Sequence, residues 1–438
     1  KNASLNSKEI KKKDIFFAIK GKNKDGNLFI KEAIKNGASL VITDKLKDDK
    51  NQIRVKDTLK FLTEASSIVR ENSKSKIIGI TGSCGKTSLK ELMGKSLKSI
   101  SNTTYSPKSF NNKFGVPLSL FNLRKKDDFG IFEVAMDRKN EINFLSNIIK
   151  PDVGIITNIS FAHIQNFKNI KGIALAKSEI IQNIKKDGYI VLNADDYFFN
   201  FFKKIAIKKK LNILSFSIKN KSSNVYLVSI KKEKSKYKIS IKINNINKYF
   251  YLSTPYENDI KNLLAAIAAI SIFKDIKNLD SNIFYKHQIP NGRGDVSQIR
   301  LFKKNFYLVD QSYNSNPLSM NTAIKNFDMI KVNSSKKHLI LGDMLELGKY
   351  SKKLHFEAIK NINNTSIKNV NVIGKRMSDS FKDLHKNKKG LILKNISEII
   401  SLIKNTINNN DYLMIKGSNS TGLNKLTSDI KKGKINAL

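Results

Sequence analysis

At 438 residues the chain is too long for one compact core, and 40% hydrophobic with 9% aromatic residues describes a folded protein rather than a disordered one. A formal charge of +43 invites a nucleic-acid reading. Only Arg54, Arg70, Arg124, Arg138, Arg293, Arg300 and Arg376 stand among the 80 basic residues, however, and Trp is absent, which argues against a groove built to read or stack bases. The single cysteine, Cys84, excludes a disulfide framework and a cysteine-based zinc site and fits a reducing cytoplasm. No apolar run approaches bilayer-spanning length, so no stable membrane association is expected, and the opening KNASLNSKEIKKK lacks the apolar centre of a secretory signal.

Taken in chain order, residues 1–75 read as a small α/β unit. DIFFAIKG is a strand, NLFIKEAIKNGA a helix closed by Gly37, and SLVITD a second strand. EASSIVRENSKSK then forms a connecting helix and a polar hinge. From residue 76 strands and helices alternate: KIIGIT, GIFEVAM, DVGIITN and GYIVLNADD are strands, with helices after Lys86, over NEINFLSNIIK and across 169–186. Such alternation predicts a parallel, doubly wound sheet. Between 211 and 253 the runs LNILSFSI, NVYLVSIKK, YKISIKI and KYFYLST alternate over short lengths with polar turns, which predicts an antiparallel appendage. The helix NDIKNLLAAIAAISIF closes this second unit, 76–294. Alternation resumes through FYLVDQSYNSNP, KKHLILGDMLELG, KNVNVIG, KGLILK and YLMIKGS, a second doubly wound unit over 295–438. The expected class is therefore α/β in three domains.

The richest chemistry lies in KIIGITGSCGKTSLKELM, residues 76–93. A strand runs into Thr81, Gly82, Ser83, Cys84 and Gly85, and Lys86, Thr87 and Ser88 open a helix. Backbone N–H groups at such a helix N-terminus form an anion-binding concavity, Lys86 neutralises phosphate charge, and the Thr87 hydroxyl suits Mg²⁺. The common G-x-x-x-x-G-K-[ST] spacing is missed by one residue, because Ile80 stands five positions before Gly85. The loop alone leaves ATPase, kinase and ligase open.

The spelling T-G-x-x-G-K-T resembles the Mur ligase superfamily, ATP-dependent amide-bond formers, and further segments follow in the same order. IFEVAMDRKNEINFL carries Glu133, ITNISFAHIQNF carries Asn158 and His163, and AKSEI carries Lys177. The resemblance implies that Glu133, His163 and the Thr87 hydroxyl serve Mg²⁺, two ions in all, together with Lys177 as N6-carboxylysine. It implies Lys86, Glu133, His163 and Lys177 as the catalytic set. SFNNKFGVPLSL places Asn111 and Asn112 on the substrate side; NGRGD supplies Arg293 and YENDIKNLLAA supplies Asn262 to ATP. In the latter segment Asn258 and Asp259 depart from the family's usual His and Asn.

VDQSYNSNPLSM, LGDMLELG with a downstream His355, and IKGSNS resemble the branch that adds D-alanyl-D-alanine. By that resemblance Asp310, Tyr313 and Asn314 belong to the ATP site, and Lys416, Gly417 and Ser418 to the side of the incoming dipeptide. The front of the chain resembles the same branch's uridine-nucleotide domain, so 1–75 is the UDP-substrate domain, 76–294 the ATP-binding domain and 295–438 the Rossmann-like ligase domain. Ser7 and Lys8 fall in its substrate segment, with Asn6 and Lys8 standing where Asp and Arg are usual. The implied substrates are UDP-MurNAc-tripeptide and D-alanyl-D-alanine, with ATP, no nucleic acid, and a monomeric enzyme. The alternatives are a Mur ligase adding the third amino acid, a folylpolyglutamate-synthase-like ligase, or a basic phosphate-loop protein acting on nucleic acid.

Overall fold

A computed structural model describes residues 2–21, 24–45, 51–285 and 289–435; the parts of the three expected domains that fall elsewhere lie outside the described residues. Among the described residues the strands assemble into three sheets. In the first, β1 (Ala3–Ser4), β2 (Ile15–Phe17), β3 (Leu40–Thr43) and β4 (Gln52–Arg54) lie in order 1-2-3-4 and are all parallel. The second comprises β5 (Lys76–Thr81), β6 (Thr103–Tyr105), β7 (Phe129–Glu133), β8 (Val153–Ile156), β9 (Tyr189–Asn193), β10 (Asn212–Ser217), β11 (Val225–Glu233), β12 (Lys236–Ile243) and β13 (Ile246–Leu252). Its order is 13-12-11-10-9-8-5-7-6. The third holds β14 (Asp295–Leu301), β15 (Lys304–Gln311), β16 (Lys337–Gly342), β17 (Asn369–Ile373), β18 (Lys389–Leu393) and β19 (Tyr412–Lys416), in order 14-15-19-16-17-18.

The apolar runs explain the parallel strands. Ile77, Ile78 and Ile80 of β5 are fully buried, because helices cover both faces of the sheet and leave no solvent side to alternate with. Helix Lys86–Lys98 lays Leu89, Leu92, Met93 and Leu97 onto that sheet at helical spacing. Helix Glu257–Ile270 is buried almost all round, and its alanines at 265, 266, 268 and 269 let it nest between the sheet and the phosphate-loop helix.

Two expectations require correction. The run LNILSFSI is not part of an antiparallel appendage: β10 pairs parallel to β9, and its end pairs parallel to the start of β11. Antiparallel pairing starts only at β11–β12 and β12–β13, which extend the same sheet. Short alternating runs cannot distinguish these cases; the link is set instead by Asn224 Oδ1, which accepts from Ser215 N and Oγ, and by Asp195, which accepts from Ser217 Oγ and Ile218 N.

The polar hinge near residue 70 is the other. Helix Thr58–Glu71 is capped by Asp57, which accepts from Lys60 N. Near its end the buried Arg70 donates to the carbonyls of Ile149 (2.7 Å) and Lys150 (2.8 Å) and to Asp152 (2.9 Å). Burial lowers the Arg70 pKa, with Asp152 opposing, and the linker is riveted to the second sheet rather than loose. Among the described residues no helix is long and apolar enough to cross a membrane.

Arg70→Ala leaves two carbonyls and a carboxylate without this partner, and is expected to cost about 3 kcal/mol, read as a lowered denaturation midpoint in urea.

Candidate active site

The phosphate loop is shaped by its neighbour β8 and the turn that follows. Gly82 has φ +145, and a Cβ there would collide with Thr157 Oγ1, so only glycine fits. Thr157 Oγ1 donates to the Cys84 carbonyl at 2.6 Å. Asn158 accepts the Ser83 N–H on its carbonyl and the Cys84 N–H on its side-chain oxygen, both at 2.9 Å. Its amide donates back to the Cys84 carbonyl. Gly85, at φ +84, then turns the chain into the helix that begins at Lys86.

Around the loop a cleft of about 680 Å³ opens between the second and third sheets. It is lined by Ser83, Cys84, Gly85, Lys86, Thr87 and Ser88, by Asn111, Glu133, Asn158, His163, Asn262 and Arg293, and from the third unit by Tyr313, Asn314, Lys416 and Ser418. Lys86 Nζ donates to the Gly82 carbonyl at 2.8 Å, and burial lowers its pKa while Glu133 opposes that. Glu133, at the end of β7 and 1% exposed, accepts from the Thr87 hydroxyl (2.6 Å) and from Asn111 Nδ2 (2.7 Å). The Arg293 guanidinium lies 4.2 Å from the Tyr313 ring centroid and donates to Ser109 Oγ at 3.3 Å.

His163 lines the same cleft, beside Asp137 and Glu346. Its Nδ1 lies 2.6 Å from a Glu346 carboxylate oxygen and 3.1 Å from one of Asp137. Contact with the imidazole holds the Glu346 carboxyl below its ordinary range. Lys177 lies behind the loop on helix Ile170–Gln182; burial, aided by Lys86, holds its ammonium well below the ordinary lysine value. No group of three or more His, Cys, Asp or Glu side chains that could hold a metal occurs among the described residues. The donor set still suits Mg²⁺, which takes hard oxygens, keeps several waters and binds through one or two carboxylates plus substrate phosphates. Thr87 and Glu133 supply such oxygens beside the phosphate loop.

Several expected residues are not brought to the cleft. Thr81 is fully buried in β5, and Gly82 serves the loop's shape. Asn112 accepts from Phe114 N and Gly115 N, starting a helix. Asp310 faces Lys431 at 2.6 Å and the Ser312 hydroxyl, beside a separate smaller hollow. Gly417 packs against Leu423. In the first sheet's unit Ser7 donates to Glu32 at 2.5 Å, and Lys8 is exposed with its N–H on Asn6.

Residues that were not nominated also shape the site. Asn158 matched a motif but its hold on the loop is geometric. Glu346 lay in LGDMLELG, but no sequence spacing links it to His163. Asn316 caps helix Pro317–Asp328 and accepts from the Cys84 thiol at 3.1 Å, joining the two units. Asn326 donates to Asn258 at 2.8 Å, and Lys325 pairs with Glu257 at 3.2 Å, closing the far rim.

Three family models match in order: "Mur ligase family, catalytic domain" over 1–75, "Mur ligase middle domain" over 80–270, and "Mur ligase, glutamate ligase domain" over 298–419. The UDP-N-acetylmuramoyl-tripeptide–D-alanyl-D-alanine ligase of Buchnera aphidicola subsp. Acyrthosiphon pisum is 34% identical, over 98% of this chain and 92% of the relative. A crystal structure of MurF from Acinetobacter baumannii superposes with a TM-score of 0.83 at 26% identity, over 99% of this chain and 93% of that one. MurF ligase from Thermotoga maritima in complex with ADP gives 0.80 at 25% identity, over 99% and 97%.

Gly82→Ala forces a methyl group into Thr157 and should displace the loop from its three hydrogen bonds with Asn158. Nucleotide affinity, read by calorimetry, is expected to fall at least about tenfold, equivalent to about 1.4 kcal/mol, while an unchanged affinity would refute the constraint.

Proposed function

The chain belongs to the Mur ligase family, and on that footing we propose that it joins D-alanyl-D-alanine to UDP-N-acetylmuramoyl-tripeptide at the expense of ATP, yielding the pentapeptide precursor of peptidoglycan, ADP and phosphate. The observation that carries this reading is the convergence, in one cleft between two units, of the phosphate loop with Glu133 and with the segments around Asn314 and Lys416. A cleft of this kind can hold ATP against one unit and an amino-acid substrate against the other. The enzyme works as a cytoplasmic monomer.

A carboxylate is a poor electrophile. Transfer of the γ-phosphoryl group to the tripeptide's terminal carboxylate makes an acyl phosphate with a good leaving group, and the dipeptide amine then attacks it. The N–H groups opening helix Lys86–Lys98 and the Lys86 ammonium hold the phosphates, and Arg293 adds positive charge from across the cleft, so the chain acts chiefly by positioning and charge stabilisation. Glu133 holds the Thr87 hydroxyl and the Asn111 amide in place. Tyr313 and Asn314 supply the nucleotide side of the third unit, with Asn262 opposite. Closing the rim through Asn258–Asn326 and Glu257–Lys325 keeps water from the acyl phosphate. Thr87 and Glu133 would hold Mg²⁺, which when bound screens phosphate charge and polarises the γ-phosphoryl group. Ser7 and Lys8 would serve the UDP portion, and Lys416 and Ser418, which line the cleft, the dipeptide.

Lys177 is the residue for carbamylation. An amine reacts with carbon dioxide only when neutral, and burial beside Lys86 favours the neutral form. The carbamate so formed is an anion beside the Lys86 ammonium.

Coupled phosphate release is expected only when ATP, UDP-MurNAc-tripeptide and D-alanyl-D-alanine are all present; turnover driven by nucleic acid without that pair would sink the reading. With ¹³C-bicarbonate, a carbamate resonance is expected in the protein, absent from Lys177→Met and lost on acidification as the amine protonates.

A further inference from the structure

Lys416 ends β19, the strand at the centre of the third sheet between β15 and β16, where the carboxyl ends of parallel strands open toward ligands. Its side chain is 1% exposed and still lines the cleft. Nζ donates to the Asn314 carbonyl at 3.1 Å and reaches the Gln311 carbonyl at 3.5 Å. Among the described residues no carboxylate forms an ion pair with it. An amine that directs two N–H groups at main-chain carbonyls keeps its remaining position, a lone pair when neutral, for the cleft.

We propose that Lys416 is the proton acceptor for the incoming amine, taking its proton as the nitrogen attacks the acyl phosphate; the assignment rests on the ligase reading above. The nitrogen lone pair forms the C–N bond, and the proton moves from that nitrogen to Lys416 Nζ. The tetrahedral carbon then expels phosphate, which keeps the electron pair of the broken C–O bond, and the lysine ammonium returns its proton to solvent after release.

The charged and titratable groups acting on Nζ are the Cys84 thiol across the cleft, Arg293 and Asp310, the last tied to Lys431. Burial is the largest influence and pushes the ammonium down to about 8, with Arg293 acting in the same sense and Cys84 and Asp310 opposing. A base that titrates close to the operating pH is partly free to accept a proton there, the condition under which a general base works best. Other lysines of the cleft region have different tasks: Lys86 is bound back to the loop, and Lys177 lies behind it.

The two half-reactions separate the outcomes. With ATP and UDP-MurNAc-tripeptide alone, the acyl phosphate is trapped by hydroxylamine as a hydroxamate; adding D-alanyl-D-alanine reads transfer. Lys416→Arg keeps the positive charge but cannot act as a base at neutral pH, so it is expected to form hydroxamate within about threefold of the parent while transfer falls about 100- to 10,000-fold. Lys416→Ala should behave likewise and regain part of its transfer rate with added small primary amines, whose effect should rise with their basicity. Thermal midpoints check that both variants fold, and amine rescue of Lys416→Ala keeps the test decisive should the arginine not fit. Transfer by Lys416→Arg at the parent rate, or equal loss of both half-reactions, would overturn the assignment. Absence of hydroxamate from the parent enzyme would instead overturn the ligase reading on which it rests.

Discussion

The close approach of Gly82 to Thr157 is the constraint on which the rest of the site depends. It brings the main chain of the phosphate loop against β8 and the Thr157–Asn158 turn, where Asn158 holds two successive N–H groups and Thr157 the next carbonyl. The loop is thereby fixed before any ligand arrives, and its remaining N–H groups and Lys86 face the cleft. Preorganisation of this kind matters because dipoles that need no rearrangement stabilise developing charge at little cost. A parallel sheet supplies the means: β5 and β8 are adjacent, so the loop after one and the turn after the other emerge at the same edge.

Around this fixed loop the chain gathers cations at different depths. Lys86 lies on the loop, Lys177 behind it, and Arg293 and Lys416 come from the far side. Glu133 is the buried carboxylate among them, and it is satisfied by Thr87 and Asn111. Burying ammonium groups near one another lowers their proton affinity, so the same architecture that attracts polyphosphate also yields amines able to lose a proton.

Much of this was legible in the sequence. Apolar runs of KIIGIT, DVGIITN and YLMIKGS marked buried parallel strands because both faces of those sheets are covered, and the T-G-x-x-G-K-T spelling located the loop. Parallel pairing of β10 was not legible, since short alternating runs look alike in either orientation and the deciding contacts involve Asn224 and Asp195. The role of Arg70 was hidden for a similar reason: its partners lie about eighty positions away. Asp310 illustrates the opposite case, a residue found by motif whose carboxylate turns to Lys431, at the end of the chain, instead of to the cleft. Motifs identify which residues matter, and the directions of their side chains are decided by tertiary contacts.

His163 and Glu346 both sit in left-handed backbone conformations, at φ +57 and +62, on facing loops. Each is held there by the other unit: their side chains pair, the Gln165 N–H donates to the Glu346 carbonyl, and Phe161 packs on Tyr350. A non-glycine residue in this region carries strain of about 1 kcal/mol or more. The two loops thus fix one another across the cleft, so the backbone conformation at the site of one unit depends on contact with the other.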